Sequence, residues 1–123
     1  MELWIDRRDV PAGEKTLPNG FTRSLDGEGM SIEGKKILLN GAVIGAYIHI
    51  RDGTNQDDAR AVIGSVEWLL VSFEDWSMIP LENFIAASEG TPTKIAALLT
   101  EASQIQGAAF ALERGVDAIV VSE

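Results

Sequence analysis

VEWLLVSFEDWSMIPLENFIA, residues Val66 to Ala86, decides how the rest of the chain is read. An apolar run from Val66 to Phe73 meets two acids, Glu74 and Asp75, and then passes through Trp76 to Pro80. Beyond Pro80, Leu81, Phe84 and Ile85 fall at helical spacing, and the segment runs out at Gly90. Apolar residues on both alternating faces are what a strand covered on two sides requires. Pro80 suits the first turn of a helix, where its missing N–H is not needed. The unit is strand, loop, helix, with the acids at the strand's carboxyl end.

The same rhythm spreads outward. KILLNGAVIGAYIHI, residues 36–50, is two apolar, β-branched runs joined by Asn40-Gly41, a two-residue hairpin signal. DGTNQDDARAVIGS follows as a short helix with Thr54 or Asn55 as N-cap, Asp57 and Asp58 in its first turn and a stop at Gly64. After Gly90 come KIAALL, a helix from Thr100 to Gly115 with Ile105, Ala108, Ala109 and Leu112 as its apolar stripe, and the strand VDAIVV. Recurring strand-helix units predict an α/β fold with a parallel sheet and right-handed crossovers, resembling part of a (β/α)8 barrel or a small open sheet. Residues 1–35 differ in texture: after a strand at Leu3 to Asp6 they are dense in Gly, Pro, Asn, Asp and Ser and read as a loop-rich lead-in. The expectation is one domain over 1–123, with the strand-helix repeats in 36–123.

Composition narrows the function. The 123 residues are 46% hydrophobic, enough for one packed core, and 10 Lys and Arg against 19 Asp and Glu give a net charge of −9. Such a field repels phosphate backbones and anionic lipid, which argues against nucleic acid and membrane as partners. With no cysteine there is no disulfide and no thiolate nucleophile or thiolate metal site. The opening MELWIDRRDVP mixes acid and base where a signal peptide is apolar, and no apolar run approaches the roughly 18 residues of a bilayer span. A cytoplasmic protein is expected.

Ligands of parallel α/β sheets bind at the carboxyl ends of the strands, here Arg51-Asp52, Ser72 to Asp75, Thr100 and Ser122-Glu123. Glu74 and Asp75 are therefore candidates for a general acid or base, for oxygen ligands to a divalent cation, or for binding a hydroxyl or ammonium group. The competing reading is that they only end a strand and solubilise a loop. Being adjacent, at most one continues the strand's inward side. Glu82 and Asn83 are either substrate-binding groups or favourable first-turn residues of a helix. His49, the single histidine, reads as structural or surface more than as a base. Trp76 either stacks on a planar ligand or plugs the layer between sheet and helices. GKKILLNGAVIG has glycines but not the spacing of a dinucleotide fingerprint.

DWSMIPLENFIA, followed by an apolar strand and GAAFALERGVDAIVV, resembles the 3-dehydroquinate synthase II family of archaeal type, and GAYIHIRDGTNQDDA is similar to an earlier strand and helix of that family. The likeness runs from about Gly45 to Glu123 and is most specific at Asp75, Trp76, Ile79, Pro80, Leu81, Glu82, Asn83, Ile85 and Ala86. It implies NAD-dependent oxidative deamination and cyclisation of 2-amino-3,7-dideoxy-D-threo-hept-6-ulosonate to 3-dehydroquinate. Related bacterial proteins form an aminohydroxybenzoate from a similar amino-keto sugar acid, with a divalent metal in place of NAD. Asp75 or Glu74 would supply the base, with Asp75 favoured because the motif starts there, and Glu82 and Asn83 would bind substrate. Members are much longer, and their later Arg-Pro-Phe-Arg-Val-Asn-Ala-Gly-like stretch has no counterpart here. The alternative is a truncated, non-catalytic binding or assembly module that self-associates through its open sheet, and a homo-oligomer is expected in either case.

Overall fold

The computed structural model describes residues 1–8, 17–27, 29–74, 81–99 and 115–122. Ten elements follow in chain order: β1 (Glu2–Asp6), β2 (Arg23–Leu25), β3 (Met30–Glu33), β4 (Lys36–Leu39), β5 (Ala42–Ile50), α1 (Gly53–Val62), β6 (Trp68–Phe73), α2 (Leu81–Ser88), β7 (Lys94–Leu99) and β8 (Ala118–Ser122). The helix expected from Thr100 to Gly115 lies outside the described residues apart from Gly115 itself, whose φ of 81° suits a helix stop. No helix among the described residues is long and apolar enough to cross a membrane.

One eight-stranded sheet takes the order β2-β1-β8-β7-β6-β5-β4-β3. Every neighbouring pair is parallel except β3–β4 and β4–β5, so β4 alone runs against the rest. The two cores explain its shape. One contains Ile48, Leu69, Val71, Ile95, Ala97 and Ile119 together with Ala59, Leu81 and Phe84 of the helices, so it lies between sheet and helices. The other contains, among the described residues, strand residues and no helical ones, and it includes Leu25 of β2 and Met30 of β3, which sit at opposite ends of the strand order. Both edges reach one core only if the sheet curls round it, which makes the fold a nearly closed α/β barrel. Along each strand the residues alternate between the outer and the inner core.

The hairpin forms as expected at Asn40 and Gly41, whose φ values of 51° and 86° are those of a type I′ turn. One bulge interrupts it: the register passes from Ile37↔Gly45 to Leu38↔Val43, leaving Ile44 as the extra residue. The loop-rich lead-in also contributes β2 and β3, short strands recruited by pairing with β1 and β4. One expectation is corrected. The N-cap of α1 is Asp52, whose carboxylate accepts from the N–H groups of Thr54 and Asn55, and Asp57 and Asp58 lie beyond the first turn. The reason is local: Asp, Thr and Asn all cap well, and the residue that leaves the strand first takes the position.

At the amino ends of the strands the interior is plugged. Trp4 and Trp68 meet edge to face with ring centroids 4.6 Å apart, and the Arg23 guanidinium lies 5.1 and 5.5 Å from their centroids. Lys94 adds its ammonium 5.3 Å from the Trp68 ring. Burial opposes a charge on Glu2 beside them. Hydrogen bonds from Trp4 and Thr22, helped by Arg23 and Lys94, nevertheless hold its carboxyl below the ordinary value. A filled amino end leaves the carboxyl ends as the place for a site. β8 lies between β7 and β1 in the middle of the sheet, so the open edges belong to β2 and β3, of three and four residues. Short edges offer little unpaired backbone.

Candidate functional site

Parallel pairing of β5 with β6 sets Tyr47 opposite Leu70 and His49 opposite Ser72, on the inner face and at the carboxyl ends of both strands. Four side chains connect there. Tyr47 Oη lies 2.8 Å from Ser72 Oγ, His49 Nδ1 lies 2.7 Å from the same oxygen, and His49 Nε2 lies 2.8 Å from Glu74 Oε2. Ser72 is buried, while Glu74 reaches into solvent. The hydrogen bond from His49, reinforced by the charges of His49 and Arg51, holds the Glu74 carboxyl below the usual carboxylate range.

An ionised Glu74 orders the whole chain. A carboxylate only accepts, so Nε2 of His49 carries a proton, and in the neutral form of the ring Nδ1 is an acceptor. Ser72 then donates its hydroxyl proton to Nδ1 and accepts from Tyr47 Oη. Proton donation therefore runs from Tyr47 through Ser72 to His49, with Glu74 poised to stabilise an imidazolium. Aligned groups of this kind form a proton relay.

The relay borders a hollow of about 210 Å³ to which Lys35, Tyr47, His49, Arg51 and Asn55 contribute. On the same rim, Asp6 ends β1 and accepts from Arg8 at 2.9 Å from Nε and 2.7 Å from Nη2, a fork that fixes this corner.

Of the residues singled out from sequence, Glu74 stands at the strand end and joins this network. Asp75, Trp76 and Pro80 lie outside the described residues. Glu82 and Asn83 are exposed in the first turn of α2, whose buried Leu81 and Phe84 pack in the outer core. His49, read from sequence as structural or surface, occupies the centre of the network, and Tyr47 and Ser72 were not singled out. A signal for them exists: Tyr47 and His49 on one strand, and Ser72 and Glu74 on the next, are polar side chains at i and i+2 in strands otherwise apolar. Such pairs share a face.

Neither group implied by resemblance finds a ready site among the described residues. A dinucleotide's pyrophosphate needs a glycine-rich turn into a free helix N-terminus. At α1, which follows β5, the Asp52 carboxylate already occupies the N–H groups of Thr54 and Asn55. The described residues do not fit NAD there. For a divalent metal, no three His, Asp or Glu side chains converge among the described residues, and Glu74 and His49 are engaged with each other.

Comparison with known proteins agrees with the resemblance. Residues 10–123 match the 3-dehydroquinate synthase II N-terminal domain, a longer stretch than the motif alone marks. A protein named 3-dehydroquinate synthase from Methanothermobacter thermautotrophicus is 32% identical over 109 residues, covering 89% of this chain and 28% of that protein. One of the same name from Methanothrix thermoacetophila is 36% identical over 87 residues, 71% of this chain and 24% of that protein. A third, from Methanosarcina acetivorans, is 30% identical over 118 residues, 95% of this chain and 30% of that protein. The chain thus spans less than a third of the length of these relatives. No solved structure matches it. With the family's N-terminal domain matched from residue 10 to residue 123, the chain belongs to the 3-dehydroquinate synthase II family.

Proposed function

We propose that this chain supplies the proton-transfer centre of a 3-dehydroquinate synthase II reaction, the NAD-dependent oxidative deamination and cyclisation of 2-amino-3,7-dideoxy-D-threo-hept-6-ulosonate to 3-dehydroquinate. The observation that carries the proposal is the hydrogen-bonded chain Tyr47–Ser72–His49–Glu74 at the carboxyl ends of β5 and β6. Cyclising a keto acid requires a proton to leave the carbon beside a carbonyl. Tyr47 Oη accepts that proton as its own passes through Ser72 to Nδ1 of His49. The resulting imidazolium faces the Glu74 carboxylate, which stabilises it. Groups so placed contribute about 10²- to 10⁴-fold in rate. Glu74, expected from sequence as a base in its own right, acts in this proposal through His49. In the longer relatives' frame, the hydride acceptor for the deamination would be held by residues outside those described here.

The test is to incubate the chain with the amino-heptulosonate, with and without NAD or a divalent cation, and follow substrate loss and 3-dehydroquinate by mass spectrometry. Loss of substrate supports the proposal. Intact substrate under every condition, from a folded chain, returns the protein to the reading of a non-catalytic binding or assembly module.

A further inference from the structure

We propose that the hollow at the open side of β5 is an anion subsite that takes the carboxylate of a small hydroxylated acid, presenting the rest of the molecule to Tyr47; this rests on the relay being the reacting centre. The hollow exists because β4 is shorter than β5. Lys36 opens β4 opposite Ala46, so from Tyr47 onward β5 has no strand on that side. The Tyr47 N–H is taken by the Lys35 carbonyl at 3.0 Å, and the Arg51 N–H by Asn55 Oδ1 at 2.9 Å. His49 lies between these two residues, and the strand's period of two turns its backbone N–H the same way, toward the hollow.

Charge decides what enters. The whole chain carries −9, yet among the described residues the charged ones lining this hollow are Lys35 and Arg51, with the His49 ring beside them and no acid. The ion pair between Lys35 and Asp58 is long, at 3.9 Å, and exposed, so solvent screens it and Lys35 can turn to a ligand. Arg51 presents a planar fork matched to a carboxylate. The hollow is small: about 210 Å³ is below the roughly 300–1,000 Å³ of sites that enclose drug-sized molecules. It holds one end of a small acid.

The experiment is an amide NMR titration of the 123-residue chain with quinate, a hydroxylated monocarboxylate, against methyl quinate and inorganic phosphate. Quinate is expected to shift the amides of Lys35, His49 and Arg51 and to bind about tenfold more tightly than its uncharged ester. Arg51→Gln and Lys35→Gln are each expected to weaken it severalfold, whereas Arg60→Gln, outside the hollow, leaves it unchanged. Equal binding of the ester, indifference to both substitutions, preference for phosphate over quinate, or no shifts would each overturn the subsite. Ser72→Ala separates this proposal from the one it rests on, because it interrupts the relay without touching the hollow's lining. Wild-type quinate affinity with lost turnover supports both. Turnover that persists in Ser72→Ala overturns the relay, and wild-type turnover without quinate binding overturns the subsite alone.

Discussion

Gly45 is the point where the barrel's construction and its relay meet, and Gly45→Ala tests both. A Cβ built there would lie 2.3 Å from the Trp68 carbonyl oxygen, 2.9 Å from Trp68 Cβ and 3.0 Å from its carbonyl carbon. None of these atoms is the far end of a flexible chain, so relief requires β5 to move away from β6. Overpacking costs about 1–3 kcal/mol, and a clash with backbone beside a fully buried tryptophan belongs at the upper end. Against that, alanine reduces the freedom of the unfolded chain and returns about 0.4–1 kcal/mol. The net expectation is a loss of about 2 kcal/mol, or about 8 °C of melting temperature for a chain of this size. Urea and thermal unfolding followed by tryptophan fluorescence would read it. Gly53→Ala is the internal control: among the described residues no atom beyond its chain neighbours and its own helix backbone lies within 4 Å of the added Cβ, and it opens α1, so it should be neutral or slightly stabilising. Because Gly45 precedes Tyr47 by two residues on the same face, the variant should also weaken the Tyr47–Ser72 contact. A neutral Gly45→Ala would refute the close approach of β5 to β6 on which the relay's register depends.

Thr93 ties the start of β7 to the end of α1: its buried hydroxyl accepts from the Gly64 N–H at 2.7 Å and donates to the Val66 carbonyl at 2.6 Å. Thr93→Val keeps the shape and removes both bonds, and is expected to cost about 1–3 kcal/mol in urea unfolding; an unchanged midpoint would contradict it. The carboxyl of Glu74, observed by carbon NMR, should titrate below the usual glutamate range and move back toward it in His49→Gln. The sign follows from the lowered value: the Glu74–His49 bond contributes above the ordinary glutamate pKa and is lost as pH falls through the depressed one. As Glu74 is exposed, that acidic transition should break the bond with little effect on the unfolding midpoint. Loss of the shift's dependence on His49 would remove the tie that orders the relay.

Much of the architecture was legible because it is written in local patterns. Apart from Ser72 and the exposed Lys94, the runs at Trp68–Phe73 and Lys94–Leu99 are apolar on both faces, and they are buried on both faces. Asn40-Gly41 fixed a hairpin from two residues. β2 and β3 escaped because Arg23–Leu25 and Met30–Glu33 have no strand-like run of their own; they are extended because β1 and β4 pair with them. Barrel and open sheet could not be told apart in sequence, since curvature depends on Leu25 and Met30 meeting in one core. The site divides in the same way. Glu74 was visible as a charge ending an apolar strand, while His49 looked ordinary until the register of β5 against β6 set it between Ser72 and Glu74. Register is a long-range property that no single strand encodes.

The relay itself is tested most directly by the turnover of Ser72→Ala with the amino-heptulosonate, measured beside wild type with circular dichroism to show that both are folded. Ser72 Oγ joins Tyr47 to His49, at 2.8 and 2.7 Å, and alanine removes it while disturbing little else. The expected rate is lower by about 10²-fold or more. A folded Ser72→Ala chain that turns over substrate at the wild-type rate would contradict it.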